Sequence, residues 1–443
     1  MFKTNIAMKT RSFILLFGLA GMLAAAFLTQ GCDKILDEPD KGDTTSYQLG
    51  DTLWVHNIPQ TEHAIYFTRS FPNSNDVAIG TDGTVYYGAS PGYLGSDPEQ
   101  YRVYAVDHKT GELKWQSDEL WPKNNQSALA VGDDGTVYAY AFNALVALNS
   151  DNGQTKWVWT VPKTIGEVGT DGQIAALAIL SDGDLVVKSD GVAGTAVIFR
   201  LNVQGNEIWH TFLNENTEWT DSRIFIGMND FIYAWWQESP SGKLFLHALN
   251  PENGTELGKT ALMYNSDNRD SKLMVADNGD VIFFRSLRNN GAPADTLVRM
   301  SYDLNSTLWA AAVNYTQAED YSPVLYNGYV YFEKFASDDV YRVNADNGQV
   351  NEVALPHFAV VDGKGFFYGK MNVNLAAVKY DGTVLNDNLF SSLYETIKLG
   401  NDKELYVVTD QKIYAFGSES GLSKTGWPCF QHDNRNSYNV NTR

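Results

Sequence analysis

The sequence predicts an all-β chain folded as an eight-bladed β-propeller of four-stranded antiparallel blades, closed by its N-terminal strand. Three observations predict it: a hairpin-rich unit that recurs eight times, Asp-Gly and Asn-Gly pairs between apolar runs, and a composition with 13% aromatics and 37 glycines against 13 prolines. Tyr, Phe and Trp favour half-buried pleated surfaces, while glycine supplies tight turns. No unit shows a 3.6-residue apolar period, so helical solenoids do not fit.

The unit comes first because self-similarity decides the architecture. One copy reads Val77 to Gly88, then Tyr101 to Asp107, then Thr110 to Trp115. The next reads Ala130 to Tyr138, Leu145 to Asn149 and Asn152 to Trp157. Similar units follow at Ala178 to Trp209, Ile224 to Gly258, Leu273 to Trp309, Val324 to Glu352, Ala359 to Asn386 and Ile397 to Gly417. A spacing of roughly 35–50 residues with four short strands per unit is the signature of propeller blades.

The punctuation is Asp82-Gly83, Asp134-Gly135, Asn152-Gly153, Asp182-Gly183, Asn253-Gly254, Asn278-Gly279, Asn347-Gly348 and Asp362-Gly363. Such pairs accept positive φ at both central positions, which predicts two-residue hairpin turns. The last unit lacks an evident fourth strand, whereas Gly50 to Trp54 has the spacing of Gly111 to Trp115, Gly153 to Trp157 and Gly205 to Trp209. Asp51 to Ile58 is therefore expected to complete the eighth blade and latch the ring.

The N-terminus has the three-part order of a secretory signal. Lys3, Lys9 and Arg11 precede an uncharged apolar run from Ser12 to Leu28, and Gly31-Cys32 follows. Leu28 to Cys32 looks like a bacterial lipobox, which makes Cys32 the lipid attachment residue. The expected organisation is a signal peptide at 1–31, an acidic tether at 32–49, and one propeller with a C-terminal tail at 50–443. The expected address is a bacterial membrane reached through the lipid, the outer membrane in particular. Cys429 is the one other cysteine, so no disulfide framework supports the fold, and a buried position suits it.

The formal charge is −20, and without the three leader cations it is −23. An acidic chain with no basic stripe repels phosphate backbones, so nucleic acid is not an expected partner.

Chemistry-bearing motifs are scarce. The seven histidines (His56, His63, His108, His210, His247, His357 and His432) form no paired zinc-site spacing. P-loop, HExxH, Gly-x-Ser-x-Gly and twelve-residue calcium-loop patterns are absent. No catalytic residue, metal or cofactor is assigned. Long loops gather instead where B–C hairpins and blade-to-blade connectors meet: 90–100, 117–126, 211–222, 237–242, 287–295 and 315–321. They carry Tyr93, Trp121 and Trp219 with Glu215, Glu218 and Asp221, together with Asp118, Glu119, Glu319 and Asp320. This is either an acidic docking face with aromatic anchors or a solvated rim.

The Ala105-x-Asp107-x-x-Thr110-Gly111-x-x-x-Trp115 pattern is similar to the tryptophan docking motif of the PQQ-like propeller family. The second unit repeats it with Ala147, Asn149, Asn152, Gly153 and Trp157, and the third keeps Gly205 and Trp209. The fourth keeps Ala248, Asn250, Asn253 and Gly254 but has Gly258 where Trp would stand, and the sixth ends in Glu352. Gly426 to Asn436 resembles the W-P-x-F-x-x-D segment near the termini of bacterial members. The resemblance implies that these residues lock each blade to the next and are not catalytic.

Within that family the chain is most similar to outer-membrane assembly lipoproteins of the BamB type. That implies a non-catalytic, monomeric scaffold binding an envelope protein or peptide segment, without cofactor. Two other readings stay open: a surface lipoprotein that binds glycan or a small ligand, and a PQQ-dependent dehydrogenase. Against the second, the vicinal cysteine pair and the haem motif Cys-x-x-Cys-His of that class are missing.

Overall fold

A computed structural model of the chain describes residues 47–443, apart from 60–62, 65–76, 91–99, 123–127, 166–167, 170–171, 191–194, 215–223, 239–242, 264–271, 290–291, 314–322, 335–339 and isolated positions at 142, 356, 372–373, 393, 395, 410, 430–431, 434, 438, 440 and 442–443. The signal, Cys32 and most of the tether lie outside the described residues.

Within them the chain forms eight four-stranded antiparallel blades arranged as a propeller. Blade 1 runs from the inner strand Val77–Ile79 through Val85–Ser90 and Gln100–Val106 to the outer strand Leu113–Gln116. Blades 2 to 7 repeat this order over 128–160, 173–214, 224–263, 273–312, 324–353 and 357–390. Blade 8 takes three strands from the C-terminal side, Thr396–Leu399, Glu404–Val408 and Lys412–Gly417, and its outer strand from the N-terminal side, Thr52–Asn57. Val55 lies opposite Tyr414 and His56 opposite Ile413. First and last strands are thus hydrogen-bonded neighbours, which removes two open ends at once.

The core lies between blades rather than within one sheet. Inner and middle strands are buried on both faces, as in Ala144–Leu148, where every residue is buried. One cluster joins Tyr86 and Val103 of blade 1 to Leu129 and Val146 of blade 2. Others join blades 2 and 3, 3 and 4, 4 to 6, 6 and 7, and 7 and 8 in the same way. The circle is completed by Val77 and Tyr87 of blade 1 packed with Trp54, Tyr406 and Ile413 of blade 8. Every blade therefore depends on two neighbours.

A two-residue turn with positive φ at both positions occurs at Asn327-Gly328, between the paired Tyr326 and Tyr329, but the Asp-Gly turns of blades 1 and 2 are not of this expected type. In 80–84 the Gly83 N–H donates to the Gly80 carbonyl at 3.0 Å and the Gly80 N–H to Thr84 at 2.8 Å. Only the glycine takes positive φ, 83°, which makes a three-residue loop closed by a left-handed glycine. The aspartate serves through its carboxylate: Asp82 accepts the Thr84 N–H at 3.0 Å and its hydroxyl at 2.8 Å. Asp134 and Thr136 repeat both bonds. Asx chemistry, not positive φ at the acid, explains the Asp. In blade 7 the left-handed residue is Gly365 (φ 82°) and not Gly363.

One predicted loop is a hairpin. Val281–Asn289 and Ala292–Met300 pair continuously from Val281↔Met300 to Asn289↔Ala292, so most of 287–295 is ladder. Ser286 also pairs with Met263, tying this hairpin to the outer strand of blade 4.

Candidate functional site

Alternation along the outer strands sends one set of side chains to the neighbouring blade and the other to solvent. Trp115, on the outer strand of blade 1, lies against Gly153 of blade 2, and its Nε1–H donates to the Ser150 carbonyl at 2.6 Å. Trp157 donates to Val203 at 2.9 Å over Gly205, and Trp209 to Pro251 at 2.8 Å over Gly254. Trp309 donates to Ala345 at 2.7 Å over Gly348. Trp54 of the N-terminal strand does the same to His108 at 2.6 Å, over Gly111.

The other motif residues shape the receiving turn. Ala105 is fully buried under Trp115, with which it pairs across the ladder. Asp107 Oδ1 accepts the N–H groups of Lys109 and Thr110 at 2.9 and 3.0 Å and the Thr110 hydroxyl at 3.2 Å. Partial burial pushes the Asp107 carboxyl up, but these donors outweigh it and hold it below its ordinary range.

The exposed sides of the outer strands form a second feature. Leu113, Val158, Ile208, Leu257, Leu308 and Val384 are exposed on six different blades. Blade 3 presents the fullest case. Its outer strand Glu207–Asn214 carries Ile208 at 48% and Phe212 at 42% exposure, with His210 between them, edge-on to Phe212 at 5.4 Å and paired to Glu207 at 2.7 Å. Among the described residues no strand pairs with its outer edge. Trp209 marks this strand in the sequence by its repeat spacing, and the Ile208-x-His210-x-Phe212 alternation is the signal for its exposed face.

Of the proposed loop face, Tyr93, Trp219, Glu215, Glu218 and Asp221 lie outside the described residues. Trp121 falls in the strand Leu120–Pro122, which pairs with Gln100 and Tyr101, and its side chain is not among those described. Asp118 is exposed, and Glu119 accepts from Arg102 at 2.6 Å.

Two acid–histidine groups could hold a cation among the described residues. In blade 4, His247 is fully buried, its ring stacked on Trp236; Nδ1 lies 2.7 Å from Glu256 and Nε2 lies 3.8 Å from Glu238. Burial, helped by the Lys259 ammonium, pushes its pKa down and keeps the ring neutral. Lys259 already sits 2.5 Å from Glu238, so a cation of the chain's own neutralises that acid. At the junction of blades 1 and 8, His108 Nδ1 lies 3.3 Å from Glu404. There the hydrogen bond to Glu404 raises the His108 pKa against burial, and Asp402 is the third member of the group.

Comparison with known proteins agrees with this geometry. The family model described as outer membrane protein assembly factor BamB matches residues 99–352, more than half of the chain. Among solved structures, BamB from Moraxella catarrhalis is similar in fold, with a TM-score of 0.50 and 14% identity over 83% of this chain and 97% of that one. The WD40 domain of SCAP from fission yeast follows at a TM-score of 0.47 and 10% identity, covering 83% of this chain and 98% of that chain. Quinohemoprotein alcohol dehydrogenase from Comamonas testosteroni has a TM-score of 0.40 and 14% identity, covering 84% of this chain and 69% of that chain. No curated protein matches. With its blades, its inter-blade indoles and a family match spanning 99–352, the chain belongs to the PQQ-like propeller family of the outer membrane protein assembly factor BamB.

Proposed function

We propose that this chain is an exported, lipid-anchored scaffold of the bacterial cell envelope that binds protein segments without catalysing a reaction, and that it serves outer-membrane protein assembly. Family membership supports the scaffold, and the leader ending at Cys32 supports the anchor. The observation that carries the binding mode is the open outer edge of blade 3, with Ile208 and Phe212 standing out of an eight-residue strand.

A free strand edge offers unpaired N–H and C=O groups at ladder spacing, and an incoming extended segment satisfies both chains at once. Backbone bonds supply affinity in that mode, while side chains on alternate positions select the segment. Ile208 and Phe212 provide apolar contact for such a segment, and His210 with Glu207 provides a polar rim.

Affinity capture from envelope extracts tests the reading. Wild-type protein is expected to recover a component of the outer-membrane barrel-assembly machinery, and a folded Ile208→Lys/Phe212→Lys variant to lose it. Recovery of no such component by the wild type overturns the assembly role. Separately, Cys32→Ala is expected to move the protein from the membrane to the soluble fraction, and unchanged membrane association overturns the anchor.

A further inference from the structure

Beyond Gly417 the chain turns into the axis of the ring and touches the inner end of every blade. The Leu422 N–H donates to Gly400 of blade 8 at 3.1 Å, and Ser423 N–H to Val361 of blade 7 at 3.2 Å. Gly426 N–H reaches the Asp277 carboxylate of blade 5 at 3.2 Å. Trp427 and Leu325 of blade 6 exchange both backbone bonds, at 2.8 and 2.9 Å. Val361 N–H then donates to the Pro428 carbonyl at 3.0 Å.

On the far side the chain advances two residues per blade. Val131 N–H of blade 2 donates to Arg435 at 2.9 Å and Ile179 N–H of blade 3 to Ser437 at 3.0 Å, and Ile226 of blade 4 pairs with Asn439 in parallel. Side-chain amides finish the circuit. Asn436 Nδ2 donates to the carbonyls of Val77 in blade 1 and Leu129 in blade 2, both at 2.9 Å, while its Oδ1 accepts from Lys398 of blade 8 at 2.6 Å. Asn439 Nδ2 donates to Ile179 at 2.8 Å and Asn441 Nδ2 to Gly227 at 2.9 Å.

This is the pattern of a bound ligand rather than of a ninth structural layer. The blades have their four strands and shared cores without it, and among the described residues the tail adds Leu422, Trp427 and Cys429 to those cores. Asn436, Ser437 and Asn439 are almost wholly buried, yet they are polar: the Asn436 and Asn439 amides cap strand-end carbonyls, and the Ser437 carbonyl accepts from the Ile179 N–H while its hydroxyl donates to Asp433 within the tail. Buried amides and carbonyls must find partners, and here the ring and the tail supply each other's.

We infer that the inner rim of the ring, on the face of the short turns, is a peptide-binding site whose resident ligand is the chain's own tail, residues 425–441. The site takes a segment whose asparagine side chains cap strand-end carbonyls, as Asn436, Asn439 and Asn441 do, with its backbone read at two residues per blade from blade 2 to blade 4.

Cleavage of the folded full-length chain tests this directly. A protease recognition sequence is inserted between Lys424 and Thr425, both exposed, and the cut protein is followed by size-exclusion chromatography and mass spectrometry. The severed tail is expected to co-elute with the ring in native buffer. The same cut in an Asn436→Ala/Asn439→Ala chain is expected to release the tail at least tenfold faster. Departure of the wild-type fragment during the column run overturns the site, and equal release rates overturn recognition through the asparagines.

Discussion

The hydroxyl of Tyr233 donates to the carbonyl of Tyr302 at 2.6 Å, across the boundary between blades 4 and 5. At five other boundaries an indole Nε1–H makes the corresponding bond. Blade 4 has Gly258 at the indole position, and a Cβ there would collide with the Asp303 carbonyl. The phenol thus replaces the indole from a different strand, and burial raises its pKa so that it stays a donor at any ordinary pH. Tyr233→Phe should cost about 1 kcal/mol, the usual net value of one hydrogen bond. The check is the denaturant midpoint, and an unchanged midpoint would mean that the bond contributes nothing to the junction.

Gly153→Ala should cost more, about 2 kcal/mol, because two penalties coincide. Its φ is +71°, and an added Cβ would lie 2.5 Å from Cε3 of Trp115. Neither the turn nor the docked indole can give way without losing the bond to Ser150. Thermal unfolding of the variant measures the loss, and quenching of indole fluorescence reports whether Trp115 has been displaced.

Lys403→Gly should stabilise. Lys403 sits exposed at φ 65° in the first turn of blade 8, where blades 1, 2, 3 and 5 use Gly83, Gly135, Gly183 and Gly279. A left-handed conformation costs a side-chain-bearing residue roughly 1–2 kcal/mol, part of which returns as unfolded-state entropy of glycine. The net expectation is a gain of about 0.5–1 kcal/mol in denaturant stability, and a loss would contradict it.

Stability should also depend on pH through His108. Its hydrogen bond to Glu404 raises the folded-state pKa above the ordinary 6.5, so the folded chain binds the proton more tightly than the unfolded chain. The contribution is fully present below pH 6.5 and is lost as pH rises through the folded pKa. His108→Gln should therefore be least stable relative to wild type in mild acid, with the gap closing in alkali. Paired unfolding curves across that range check the sign, and a gap that widens with pH would reverse it.

The ring and its junctions were legible because their determinants are local. Trp115 and Gly153 declare themselves by fixed spacing within short units, and Thr52–Asn57 by sharing that spacing at the wrong end of the chain. Turn type is not legible because Asp82 can take positive φ or bond the backbone two residues on, and sequence does not separate the two. The hairpin at 281–300 is not legible because its ladder runs on through Pro293, which pairs opposite Arg288 although it has no N–H to donate. The tail was illegible for a different reason. Asn436 meets Val77 across 359 residues, and its partners are backbone carbonyls that carry no side-chain signature.

The scaffold reading meets its most direct test in a photo-activated cross-linking amino acid placed at Ile208 and, as control, at the exposed turn residue Asn327, in living cells. The account predicts an adduct with a barrel-assembly component from position 208 and none from position 327. No adduct from position 208, or the same adduct from both positions, would contradict it.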